Sequence, residues 1–175
     1  RQTSFSEQAV FYYVKKLFSD AVNRYKDIFS NGMELDIYIP SIKTAIEYDG
    51  VFYHKREKLQ REMKKYKICQ KHNIKLIRIK EADITQDKTQ EQTADFVFHV
   101  PGLGDTKKAL DKAISILLSE ITSATALFPS YVYAPVDINT ERDKYEIRAY
   151  MTERLKNSLA HLRPDLAKEW HPTKN

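Results

Sequence analysis

Hydrophobic residues recur every three or four positions from residue 4 to about residue 18, which is the spacing of one face of an α-helix. Ser4 and Glu7, three residues apart at the start of this stretch, match a capping box, in which side chains satisfy backbone N–H groups at a helix N-terminus. The pattern therefore predicts that the chain opens with an amphipathic helix.

A strict alternation follows over residues 34–39, "ELDIYI", with three aliphatic residues on one face and Glu34, Asp36 and Tyr38 on the other. A proline–serine pair then turns the chain. Residues 43–49 predict a second strand, whose opening "TAIEY" is mostly apolar, as in strands covered on both faces. The two strands are expected to form a hairpin.

The rest of the chain follows the same two periodicities. We predict helices over 55–72, 105–121 and 140–157, strands over 74–80 and 95–100, an extended piece over 131–136, and a loop over 82–94. This order predicts an α/β domain with a mixed central sheet flanked by helices. We expect a core domain over 1–125, a C-terminal helical extension packed on it over 126–160, and a tail over 161–175.

Composition narrows the class of protein without identifying it. The chain has 175 residues, of which 42% are hydrophobic and 30% charged, the balance of an ordinary soluble domain. No apolar stretch approaches the ~20 residues of a membrane-spanning helix. The single cysteine, Cys69, excludes an internal disulfide within these residues. Because the chain begins with Arg1 and ends in "EWHPTKN", we expect it to be a piece of a longer protein.

Positive charge is concentrated in one segment. Residues 55–80 contain eleven Lys and Arg and two acids, a net charge of +9, whereas the whole chain carries +5. A basic face on a near-neutral body indicates a protein that binds a polyanion, and the alternative is a lysine-rich helix that is simply solvated. The candidate DNA-binding residues are Lys55, Arg56, Lys58, Arg61, Lys64 and Lys65.

The predicted hairpin places acids where they cost stability. If its strands pair around a four-residue loop, Asp36 lies opposite Glu47, with Cβ atoms about 5 Å apart, and Asp49 shares the face of Glu47. Such repulsion is offset by a cation, and Mg²⁺ commonly takes one or two protein carboxylates as ligands. Two alternatives stay open: the acids face solvent, or a lysine pairs with Glu47 across the sheet.

The stretch "ELDIYIPSIKTAIEYDGVFYH" resembles the core of the PD-(D/E)XK restriction-endonuclease-like nucleases. More narrowly, it is similar to the very-short-patch mismatch-repair endonucleases and their phage and homing-endonuclease relatives. The resemblance covers roughly residues 4–81, and "IEYDGVFYH" is its most specific part. It implies an αβββαβ core, a cytoplasmic protein of bacterial or phage origin, and hydrolysis of DNA phosphodiester bonds by a metal-activated water.

The resemblance also implies a metal site. By position, Asp36 and Glu47 would bind Mg²⁺ or Mn²⁺, with the backbone carbonyl of Tyr48 as a further ligand. Asp49 falls where the broad family has its lysine. This departure leaves two roles open for Asp49, which are to bind a second metal ion or to hold a water.

Two further residues are implied as catalytic. His54 would position the attacking water or pass protons, as a histidine near this position does in the mismatch-repair branch. Glu7 corresponds to a helix glutamate that supports metal-bound water in related nucleases, although the capping box explains it equally well.

The tail "LAKEWHPTKN" is similar to the opening of a treble-clef zinc-ribbon repeat, which would begin near Trp170 and Asn175. No zinc ligand is assigned within these residues.

Three functions remain open at this stage. The favoured one is a metal-dependent DNA endonuclease, and the second is a non-catalytic nucleic-acid-binding module on a nuclease-like scaffold. The third is a purely structural domain with exposed acids. DNA is the expected partner and RNA the alternative, while the oligomeric state is not set by the sequence.

Overall fold

The computed structural model describes residues 4–50, 56–81, 92–100, 106–125 and 136–162. Over these ranges the chain is an α/β structure, a five-stranded mixed sheet flanked by helices. None of the helices described there is long and apolar enough to cross a membrane. The elements in chain order are α1 (Phe5–Leu17), β1 (Val22–Tyr25), β2 (Leu35–Ile39), β3 (Thr44–Asp49), α2 (Arg56–Lys71), β4 (Lys75–Glu81), β5 (Phe96–Val100), α3 (Thr106–Thr125) and α4 (Lys144–Leu162).

The strands lie side by side in chain order, β1-β2-β3-β4-β5. The first three form an antiparallel meander, whereas β3, β4 and β5 run parallel. Parallel neighbours need a crossover connection, and α2 lies in the one between β3 and β4. Ile46 and Ile77 pack in the core formed with α1 and α3, while Ala45 and Leu76 pack on α2. Burial on both faces explains the largely apolar sequences of these central strands.

The helices and strands predicted from periodicity are confirmed, with ends that differ by a few residues. The capping contact is also present, since the Glu7 N–H donates to Ser4 Oγ at 3.1 Å. Most of the loop predicted over 82–94, and residues 131–135 of the predicted extended piece, lie outside the described residues.

Periodicity missed β1 and misplaced Leu35. The four residues of β1, "VNRY", contain one aliphatic residue and form an exposed to half-buried edge strand, so no hydrophobic pattern marks them. Alternation puts Leu35 on the face of Ile37 and Ile39, but Leu35 packs with Tyr38 on the α2 side. The strict alternation therefore fails at Asp36, close to where β2 begins.

The face of α2 that packs on the sheet contains more charged residues than the spacing of its apolar residues predicts. Apolar spacing predicts an inner stripe through Leu59, Met63, Tyr66 and either Cys69 or Gln70. Tyr66 and Cys69 are buried, but so are the charged Glu62 and Lys65, whereas Met63 is only half-buried. The inner face of α2 is thus rotated toward charged residues.

Helix α4 packs on α1 through both polar and aromatic contacts. The Tyr13 hydroxyl donates a buried hydrogen bond of 2.6 Å to Asp143, just before α4 begins. One turn later Ile147 is fully buried in the main core, and the rings of Phe11 and Tyr150 meet edge to face at 5.4 Å. These contacts attach the C-terminal helix to the core.

The Asp143 contact makes a pH-dependent contribution to stability. Hydrogen bonds from Arg142, and then from Tyr13, lower the pKa of Asp143 from 3.8 to about 2. A carboxyl with a lowered folded-state pKa adds stability above its unfolded pKa and loses it as pH falls through the folded value. We expect the destabilisation caused by Asp143→Asn to shrink by about 1–2 kcal/mol between pH 5 and pH 2 in urea unfolding.

Asp137→Asn is the matched control, because Asp137 also pairs with Arg142 but its side chain is 82% exposed. It should show a much smaller trend with pH. A destabilisation by Asp143→Asn that is equal at pH 5 and pH 2 would contradict the assignment.

Candidate functional site

Strands β2 and β3 part before they end. Their last matched pair is Ile37 with Ile46, although β3 stays paired with β4 as far as Asp49. Asp36 and Glu47 come next in the register, so they meet where the two strands diverge. We call this point the β2–β3 fork. The register predicted from the four-residue loop is confirmed.

At the fork, backbone N–H groups of the two strands donate hydrogen bonds to these two carboxylates rather than to backbone carbonyls of the opposite strand. The backbone N–H of Asp36 donates to Glu47 Oε1 at 3.0 Å, and the N–H of Tyr48 donates to Asp36 Oδ2 at 3.0 Å. Asp36 is 0% exposed and Glu47 is 2% exposed, so neither faces solvent. Two acids are therefore held together in a site from which water is largely excluded.

A lysine from α2 offsets part of this charge. Lys65 Nζ lies 2.6 Å from Glu47 Oε2, and both side chains are buried. Burial and the neighbouring Asp36 raise the pKa of Glu47 to about 7, while Lys65 and Arg78 act in the opposite direction. The predicted alternative, a lysine paired with Glu47, is thus realised in part, but the lysine comes from the helix rather than across the sheet.

The ion pairs continue away from the fork. Arg78 Nη1 donates to Asp49 Oδ2 at 2.9 Å, and Lys58 lies 3.7 Å from both Asp49 and Glu62. Lys80 reaches Glu62 at 4.0 Å. We call the whole set the charge network. Its acids are Asp36, Glu47, Asp49 and Glu62, and its bases are Lys58, Lys65, Arg78 and Lys80.

One donor of the network lacks an acceptor in the part of the chain that the structure describes. Arg78 is 1% exposed, and its Nε donates to the Thr93 carbonyl at 3.0 Å, but Nη2 has no hydrogen-bond partner there. A buried unpaired donor is costly. An additional oxygen beside Asp49, from water or from a ligand, would satisfy it.

The structure brings together some of the predicted catalytic residues. Asp36 and Glu47 meet at the fork, whereas Asp49 is held by Arg78. Glu7 is buried in the first turn of α1, and its catalytic role remains a prediction, as does metal binding by the Tyr48 carbonyl. His54 lies outside the described residues.

The predicted DNA-binding residues separate into groups. Arg61 and Lys64 are exposed on α2, as such a role requires. Lys65 is buried against Glu47, and Lys58 is half-buried near Asp49, because the acids on β3 attract them inward. Neither therefore lies with the exposed residues expected to meet DNA. Lys55 and the side chain of Arg56 lie outside what the structure describes.

Sequence reasoning missed the roles of Arg78 and Lys80. The parallel register puts Arg78 beside Glu47 and Lys80 beside Asp49. A signal was present in "IKLIRIK", where cations alternate with isoleucines just as acids alternate in "IEYD". Two strands that carry opposite charges at the same period are candidates for adjacent pairing.

The two carboxylates at the fork match the number of protein ligands that a Mg²⁺ site commonly has. Mg²⁺ typically takes one or two carboxylates from protein and completes its shell with water and substrate phosphate. Asp36 and Glu47 provide that number, and a cation would relieve their repulsion. Among the described side chains, no three or more His, Cys, Asp or Glu form a metal-binding group. The residues thus supply the two carboxylates of such a site, in which a cation would compete with the donors now on Glu47.

The chain matches no protein-family model, and neither a curated protein nor a solved structure proved similar to it.

Proposed function

We propose that this chain is a metal-dependent nuclease that hydrolyses DNA phosphodiester bonds at the β2–β3 fork. The observation that carries the proposal is the pair Asp36 and Glu47, buried together where the ladder opens, with an ammonium 2.6 Å from Glu47. The element order α1-β1-β2-β3-α2-β4 supports it, because it is the αβββαβ order of restriction-endonuclease-like cores.

The proposal gives different roles to the fork carboxylates and to the other candidate catalytic residues. Asp36 and Glu47 would hold Mg²⁺ or Mn²⁺, and their burial strengthens every electrostatic contact at the site. The chemistry that such an ion supplies when bound is a lowered pKa for water and an offset of negative charge on the phosphoryl group. His54 and Glu7 are the candidates for positioning water and moving protons.

Lys65 is the side chain best placed to supply the positive charge that the family's lysine would carry. Asp49 stands at that lysine's position on β3, but it is paired with Arg78. Among the described residues, the ammonium in direct contact with Glu47 is that of Lys65 on α2. We therefore propose that Lys65 orients the Glu47 carboxylate and that Arg78 neutralises Asp49.

Cleavage of plasmid DNA tests the proposal directly. We expect the protein to convert supercoiled plasmid to nicked or linear forms with Mg²⁺ or Mn²⁺, and excess EDTA to stop it, because the fork carboxylates need the ion. A labelled single-stranded RNA under the same conditions tests the alternative substrate. Absence of cutting of DNA in both ions would contradict the proposal.

A non-catalytic nucleic-acid-binding module is the second candidate, and one observation favours it. Both oxygens of Glu47 already accept hydrogen bonds, and the four acids of the network face four bases. The site is therefore largely neutral without a metal ion. Such a module would bind DNA in a salt-sensitive way, cut nothing, and show no change in melting temperature with Mg²⁺ or Mn²⁺.

A further inference from the structure

The basic residues of α2 whose side chains the structure describes fall into two sets by burial. Lys58 and Lys65 lie on the inner face and belong to the charge network. The exposed set comprises Arg61, Lys64, Lys67 and Lys71. Their spacing of three, three and four residues places them along one face of the helix, over about 15 Å at 1.5 Å per residue. We call this set the α2 basic stripe.

No contact between described residues accounts for the stripe. Within the described ranges, none of its four side chains forms a hydrogen bond or an ion pair. Glu62, the acid of α2 whose side chain is described, lies buried on the opposite face. A cation in the last turn is favoured by the helix dipole, which explains Lys71 but not the other three.

The stripe borders a shallow trough with an apolar floor. The trough has a volume of about 460 Å³, and it is lined by Gln60, Met63, Lys64, Lys67, Ile68 and Lys71. Met63 and Ile68 are half-buried between the lysines. A surface of this kind offers positive charge to phosphates and apolar contact to the sugars that lie between them in a nucleic-acid backbone.

We infer that the α2 basic stripe binds the phosphate backbone of duplex DNA next to the cleaved bond. This inference rests on the proposed function and names the surface that holds the substrate. A strand of B-DNA advances 3.4 Å per nucleotide, so a stripe of about 15 Å spans roughly four phosphates. The inner face of the same helix delivers Lys65 to the fork, so α2 links the backbone-binding surface to the candidate site.

The test compares two double variants that remove the same charge. Lys67→Ala/Lys71→Ala removes half of the stripe, and Lys112→Ala/Arg148→Ala removes two exposed cations from α3 and α4, which pack on the other face of the sheet. Alanine preserves helix propensity at all four positions. Affinity for a labelled duplex is measured by fluorescence anisotropy in EDTA over a series of salt concentrations, so cleavage plays no part.

We expect the stripe variant to bind about tenfold more weakly at 0.15 M salt and to lower the slope of log K against log salt by about 1.8. The control variant should change the affinity less than threefold. Equal losses in both variants would overturn the inference, and so would unchanged binding by the stripe variant. Poly-glutamate that displaces DNA at equal charge concentration would also overturn it.

These outcomes are separate from those of the proposed function. If the stripe variant binds normally while the wild-type protein cuts plasmid, the result supports the nuclease proposal and contradicts the inference about the stripe. If the stripe variant binds weakly while the wild-type protein cuts nothing, the result supports DNA binding by the α2 basic stripe and contradicts the nuclease proposal.

Discussion

Asp36→Asn is expected to reduce plasmid cleavage at least about 10³-fold, since a site that loses one of two metal-binding carboxylates loses several kcal/mol of charge stabilisation. The substitution suits the structure because an asparagine oxygen can still accept the N–H of Tyr48, which now donates to Asp36 Oδ2. Glu47→Gln is a less specific test of metal binding, since the glutamine amide N–H would face the ammonium of Lys65 and disturb the site in another way. Initial rates of nicking in Mg²⁺ measure the effect.

Binding and folding have to be measured alongside the rate. Asp36→Asn should bind duplex DNA in EDTA within about threefold of the wild-type affinity, because the basic surface is unchanged. Asp27→Asn is the control, as it removes an exposed acid that is not part of the charge network. Cleavage by Asp36→Asn at a rate close to that of Asp27→Asn would rule out the fork as the catalytic centre.

The hairpin was predictable because its determinants are local. A four-residue turn fixes which residues of the two short strands face each other, so the approach of Asp36 to Glu47 follows from the sequence. Edge strand β1 was not predictable in this way. It pairs with β2 at the edge of the sheet, and its residues carry no periodic pattern.

The lysines of α2 that pair with the acids were not predictable, because tertiary packing decides which of them turn inward. Helical spacing puts Lys65 and Tyr66 on neighbouring faces, and either could have turned inward. Both are buried, since the sheet beneath α2 carries Glu47 and Asp49 beside apolar residues such as Leu76. The charges on β3 therefore select which lysines of α2 lie inside. The net charge of the segment does not distinguish the lysines of α2 that are buried from those that are exposed.

Loss of the Lys65 ammonium is expected to destabilise the fold more than loss of any exposed cation. Lys65→Met keeps the aliphatic stem but leaves Glu47 buried beside Asp36, with Arg78 at 3.8 Å as its remaining cation. Removing one partner of a buried ion pair typically costs about 3–5 kcal/mol. Urea unfolding at pH 9, well above the pKa of about 7 of Glu47, should show a loss of that size. Lys58→Met, which removes a 32% exposed side chain 3.7 Å from its acids, should cost no more than about 1 kcal/mol.

A double-mutant cycle separates this electrostatic cost from lost packing. Once Glu47 is replaced by glutamine, Lys65→Met no longer strands a buried carboxylate, so Glu47→Gln/Lys65→Met should be more stable than Lys65→Met alone. We expect a coupling energy of about 2 kcal/mol, which is typical of contacting residues in one network. If the two effects add without coupling, the 2.6 Å contact does not contribute to stability.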